Sequence, residues 1–158
     1  MTFLERTTDP RRLRHWEGTL EADYIYTSGL AGERFFVALR DEGRILAARC
    51  PTCDLSYLPP RPFCERCFSE LAAYVDVPTT GRVVAVTIAH VDARGRSLPA
   101  PEPWAFVRFR GVHGGLVHRL LVPADRARPG MRVRVRLRPR EARTGAVTDM
   151  EGFEPATS

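Results

Sequence analysis

The four cysteines of this chain fall within eighteen residues, as Cys50-Pro51-Thr52-Cys53 and, ten residues further on, Cys64-Glu65-Arg66-Cys67. Each two-residue spacing turns the backbone sharply enough for both sulfurs to face inward, so two such knuckles bring four thiolates to bear on one tetrahedral ion. A pair of disulfides competes poorly, because nothing marks the chain for export and cytosolic thiols stay reduced. A thioredoxin-like redox pair needs one Cys-x-x-Cys opening a helix in a βαβ setting, whereas here two lie among prolines. The spacing therefore predicts a structural metal. Four thiolates suit zinc or iron, and zinc is favoured as the commoner structural ion that needs no redox partner.

A closed four-sulfur site leaves no open position for water, so it is expected to staple the fold rather than to hydrolyse anything. If every cysteine is a ligand, none is free to act as a nucleophile in acyl transfer. The sequence also holds no Gly-x-Ser-x-Gly elbow, no glycine-rich phosphate loop and no convincing carboxylate pair. No catalytic residue is assigned. His15, His90, His113 and His118 are each expected as turn or barrel-rim residues with a satisfied nitrogen.

At 158 residues the chain has room for one domain, or one plus a small stapled module, which excludes a large multidomain enzyme. No stretch approaches the roughly 20 apolar residues of a membrane span, and Met1-Thr2-Phe3-Leu4-Glu5-Arg6 carries acid and base where a secretory signal needs an apolar core. A soluble, cytoplasmic protein without membrane contact is expected.

Four segments emerge along the chain. Residues 1–43 form an N-terminal helical segment: Asp9-Pro10 caps a short helix over 11–16, and Phe35, Phe36 and Leu39 mark an apolar stripe on a second helix over 31–41 that Gly43 ends. Residues 44–78 form the zinc ribbon, with strands over 45–48 and 71–77 and an extended, proline-fixed stretch over 57–62. Residues 79–148 form a barrel. After a turn at 79–81 come strands over 83–88, 104–110, 116–122 and 131–138, a loop over 93–103, a connection with one helical turn over 123–130, and a closing segment over 142–148. The acidic residues 149–158 are expected as a disordered tail. The fold class is mainly β with N-terminal helices, a rubredoxin-like zinc ribbon followed by a small closed β-barrel of OB type.

The run from Tyr24 to Gly29, Gly32-Glu33-Arg34-Phe35-Phe36, the two knuckles with Pro59-Pro60-Arg61 before the second, and Thr80-Gly81-Arg82-Val83 together resemble the thiolase-associated zinc-ribbon and OB-fold proteins, long catalogued as a domain of unknown function. The resemblance spans about residues 20–140. Asp54 departs from it, standing where the family often has glycine after the second cysteine. The resemblance implies one structural zinc held by Cys50, Cys53, Cys64 and Cys67, with no organic cofactor bound by this chain alone. It further implies a non-catalytic accessory subunit in a hetero-oligomer with a thiolase-like or ketoacyl-synthase-like enzyme. Such a complex supports acyl transfer, thiolysis or retro-aldol cleavage of acyl-CoA, which this chain meets only indirectly.

Charge raises a rival. All 24 basic residues are arginine, which reads as GC-rich coding rather than function, but their placement matters: residues 81–140 carry 13 arginines against Asp92, Glu102 and Asp125. Trp104, Phe106, Arg108 and Arg110 alternate onto one strand face, and Arg132, Arg134, Arg136 and Arg138 form a comb opposite Val133, Val135 and Leu137. OB barrels bind single-stranded nucleic acid with such rings and cations, so that function stands as the alternative. Arg108, Arg110, Arg132 and Arg134 equally suit the phosphates of CoA, and a solvated face remains the third reading. Phe35, Phe36, Trp104 and Phe106 are core residues or partner anchors on the same reasoning.

Overall fold

The computed structural model describes residues 9, 11 and 27–156. The expected helix over 11–16 lies outside the described residues except for Arg11. The second helix, α1 (Gly29–Asp41), starts two residues earlier than its apolar pattern suggested and buries Ala31, Phe35, Ala38 and Leu39. Its end is fixed by the Glu42 and Arg44 N–H groups, which both donate to the Ala38 carbonyl at 3.1 and 3.2 Å, while Gly43 takes a left-handed φ of +67°.

The chain then enters a four-stranded sheet built from β1 (Ile45–Arg49), β2 (Ser56–Leu58), β3 (Ala73–Val77) and β6 (His113–Gly114), in the order β3-β1-β2-β6. β6 comes from the second half of the chain and pairs in parallel with β2. At Gly114, where φ is +87°, a Cβ would lie 2.2 Å from the Leu58 carbonyl oxygen, so this junction accepts only glycine.

A second, antiparallel sheet has the order β7-β5-β4-β8-β9, formed by β4 (Thr80–Val91), β5 (Ser97–Phe109), β7 (Leu116–Arg119), β8 (Arg132–Leu137) and β9 (Met150–Pro155). The expected turn at 79–81 and loop over 93–103 give way to longer strands, joined at a turn where the Asp92 carboxylate accepts the N–H groups of Arg94 and Arg96, both at 2.9 Å. Pro99, Pro101 and Pro103 are spaced by two, so their missing N–H groups fall on one edge of β5, and β7 pairs only with 104–107.

Two further expectations are corrected at the C-terminal end. Residues 142–148 do not close the sheet; they lie in and between the 3-10 turns Arg140–Ala142 and Val147–Asp149. The strand beside β8 is instead β9, inside the segment expected to be a disordered tail. Two forces order it. Phe153 is fully buried, and the buried Asp149 carboxylate accepts the N–H groups of Thr144, Gly145 and Ala146 at 2.8, 2.7 and 3.2 Å.

Among the described residues the edge strands pair through a single parallel bridge, Leu120 to Phe153, reinforced by Leu121 N–H donating to the Phe153 carbonyl at 2.7 Å. The sheet is thus a partly open barrel of OB type rather than a closed one. Ribbon and barrel share one core: Phe35, Leu39, Ile45, Leu58 and Val77 pack in the same cluster as Val83, Val107, Val133 and Phe153. The zinc-ribbon and OB-type order read from the sequence is what the chain adopts, with α1 the one α-helix among the described residues.

Candidate metal centre and arginine face

The two knuckles repeat one backbone device. Cys50 N–H donates to the Leu55 carbonyl at 2.7 Å and Asp54 N–H to the Cys50 carbonyl at 3.0 Å; Cys64 N–H donates to Ser69 and Phe68 N–H to Cys64, both at 2.9 Å. The residue after each second cysteine takes a left-handed conformation, φ 55° at Asp54 and 60° at Phe68. That explains a glycine preference there and shows that Asp54 meets the same backbone demand; its carboxylate also pairs with Arg49. Phe68 meets it with a ring left 79% exposed. Between the knuckles Arg61 stacks 4.6 Å from the Tyr57 ring centroid and bonds Glu65 at 2.6 Å, which gives the Pro59-Pro60-Arg61 insert a structural task.

All four sulfurs lie within 4.8 Å of one another, Cys50 and Cys67 being 3.5 Å apart, and none is in a disulfide. Tetrahedral zinc–sulfur bonds of about 2.3 Å require sulfurs roughly 3.8 Å apart, so the set is of the right size. Cys50 and Cys64 are buried, Cys53 and Cys67 half-buried. Two hydroxyls support the sulfurs: Tyr57 Oη lies 3.2 Å from Cys64 Sγ, fully buried, and Ser69 Oγ lies 3.2 Å from Cys67 Sγ.

These contacts split the acidities. The Ser69 hydroxyl brings Cys67 down to about 6, and Tyr57 lowers Cys64. Cys53 is pushed up to about 12 by its hydrogen bond to Cys67 and then by burial. A central dication would favour the thiolate form of all four ligands. The donor chemistry fits zinc. Tyr57 and Ser69 went unnoticed in the sequence, and the only signal was positional: Ser69 stands two residues past its knuckle, as Leu55 does past the first.

The arginine face divides in two. Arg134 donates to Glu154 and Arg136 to Glu151, both at 2.6 Å, so β9 neutralises the middle two of the four comb arginines, and Arg134 is not grouped with the other candidate phosphate contacts. Arg108, Arg110 and Arg132 do come together, with Arg82, around a depression of about 310 Å³. Trp104 and Phe106 are half-buried on that same outer face of β5, beside an apolar hollow of about 230 Å³. Phe35, only 5% exposed, belongs to the core and cannot serve as a surface anchor, while Phe36 packs edge-on against it at 5.3 Å.

Of the histidines, His15 lies outside the described residues. His113 tilts against Tyr57 at 6.0 Å. His118 is buried beneath Trp104, its rings stacked at 5.8 Å, and its Nδ1 accepts the Arg119 N–H at 2.9 Å. Burial holds its pKa below the ordinary value.

Two family models match the sequence. The rubredoxin-like zinc ribbon domain of ChsH2 covers residues 37–72, and the C-terminal OB-fold domain of ChsH2 covers residues 74–138. The chain belongs to the ChsH2 family. Comparison with curated protein sequences returns no match. Among solved structures, a DUF35-family protein of unknown function from Sulfolobus solfataricus is 25% identical, with a TM-score of 0.64 over 81% of this chain and 87% of that one. The Ltp2-ChsH2(DUF35) aldolase is 26% identical, with a TM-score of 0.60 over 78% of this chain and 93% of that one. The ChsH2 ribbon match spans all four cysteines, and the OB match spans Arg82, Arg108, Arg110 and Arg132. No helix among the described residues is long and apolar enough to cross a membrane.

Proposed function

We propose that this chain is a non-catalytic subunit, held together by one structural zinc ion, of a complex with a thiolase-like enzyme acting on acyl-CoA thioesters. The observation that carries the reading is the use of every thiol: Cys50, Cys53, Cys64 and Cys67 form one cluster, which leaves no cysteine for acyl transfer. Membership of the ChsH2 family supports it, as does the similarity to an aldolase whose name pairs a ChsH2 chain with a second protein, Ltp2. Four unbridged thiols suit a reducing compartment such as the cytoplasm.

In this reading the zinc would be held by the four sulfurs, and what it supplies is folding free energy rather than chemistry, since a four-thiolate set is coordinatively closed. Tyr57 and Ser69 orient the ligands. The half-buried rings Trp104 and Phe106, and the exposed rings Phe63 and Phe68 at the second knuckle, offer apolar area to a partner. The test is co-expression with the thiolase-like protein encoded nearest to it. A stable hetero-oligomer on size exclusion, with enzyme activity or solubility depending on this chain, supports the proposal. A neighbouring enzyme that is fully active and monodisperse without this chain removes it.

A further inference from the structure

Arg82 is directly opposite Arg108 on β5 and directly opposite Arg132 on β8, so three arginines stand abreast across three adjacent strands of the outer face. Like charges directly opposed in a sheet are destabilising, and strands spaced about 4.8 Å apart hold these three within roughly 10 Å. Arg110 joins them from the turn just past the end of β5, two residues on from Arg108, and no carboxylate lines the depression they share. The side chains of Arg108, Arg110 and Arg132 make no hydrogen bond or ion pair among the described residues, whereas Arg82 is braced by donating Nη1–H to the Gly130 carbonyl at 2.9 Å. The neighbouring Arg134 and Arg136 have glutamate partners, so the sheet has the means to neutralise its arginines and does not do so here.

We infer that Arg82, Arg108, Arg110 and Arg132 form a binding site for the polyphosphate group of a small phosphorylated ligand. Guanidinium forks suit phosphate oxygens bidentately, and four of them in one depression match two or more phosphates better than one. The apolar hollow bordered by Phe106, one strand repeat of about 7 Å from Arg108, receives the uncharged end of the same ligand. That the carrier is an acyl-CoA rests on the function proposed above; the site itself does not.

The experiment is titration of the purified, zinc-loaded full chain with inorganic pyrophosphate at low salt, read by calorimetry and by thermal shift. Saturable binding is expected, weakened about tenfold or more by Arg108→Gln and by Arg132→Gln and less than about twofold by Arg134→Gln. Without pyrophosphate, Arg108→Gln should raise Tm by roughly 1–3 °C as the repulsion is relieved, yet shrink the pyrophosphate-induced rise. Competition by ADP identifies a nucleotide-borne phosphate; binding of pyrophosphate that ADP cannot displace identifies an inorganic source. Absence of pyrophosphate binding at up to about 10 mM, or binding indifferent to Arg108 and Arg132, overturns the inference. So does binding only to a single-stranded oligonucleotide with a salt slope exceeding four phosphates. Each of these readouts uses the chain alone, so failure here leaves the partner question open to its own test.

Discussion

Replacing Tyr57 by Phe removes one oxygen from the most buried contact of the metal centre. The hydroxyl lies 3.2 Å from Cys64 Sγ, with the ring 1% exposed, so Phe fills the same space and leaves no orphaned donor behind. What is lost is a hydrogen bond to a thiolate. Such charge-assisted bonds contribute about 1.5–3 kcal/mol, and at roughly 1.4 kcal/mol per tenfold this corresponds to about 10–150-fold in zinc affinity, in line with the 10–100-fold loss usual for an outer-shell partner. The hydroxyl also lowers Cys64, so without it the thiol reprotonates at higher pH. Zinc needs the thiolate, and the variant should therefore release zinc at a higher pH on acidification. Competition with a chromogenic chelator at pH 7, repeated down a pH series, measures both effects. A folded Tyr57→Phe protein whose zinc affinity stays within about twofold of the parent would refute the reasoning.

Cys64→Ser should bind no stoichiometric zinc by elemental analysis, and because ribbon and barrel share a core, chelation should melt both in one transition rather than the ribbon alone. Asp149→Ala should cost about 2 kcal/mol, since three part-buried N–H groups lose a charged acceptor, and should lower Tm by roughly 4–8 °C. Burial opposes the Asp149 charge, but its hydrogen bonds outweigh that and hold its pKa low, so its contribution is present above about pH 3.9 and is lost as pH falls through the folded value. His118 is likewise depressed, here by burial, so stability should be full above about pH 6.5 and decline below it, and His118→Gln should flatten that slope in pH-dependent melts.

The parts of the fold legible in the sequence were those written in local spacing. Two Cys-x-x-Cys pairs specified the knuckles, Phe35 and Leu39 the buried stripe of α1, and the alternation of Val133 and Val135 with arginine the inward face of β8. What escaped was written in pairing between distant segments. Three prolines disguised the start of β5, though their common parity suits a strand with one free edge. The acidic C-terminal segment looked disordered because Glu151 and Glu154 acquire meaning only opposite Arg136 and Arg134. One oversight caused the next: with β9 unseen, Arg134 looked like a free cation, and the cross-strand alignment of Arg82 with Arg108 and Arg132 was not visible. Tyr57 was hidden for the same reason, since its hydroxyl reaches a cysteine seven residues away only after both knuckles have folded.

The central claim is that this polypeptide lends structure and depends on another chain for chemistry. Reconstitution tests it most directly: acyl-CoA turnover is measured for the zinc-loaded chain alone, for the thiolase-like partner alone and for the two combined. The account predicts no turnover by this chain alone and turnover by the mixture well above that of the partner. Thioester consumption by the isolated chain that persists through purification to homogeneity would contradict it.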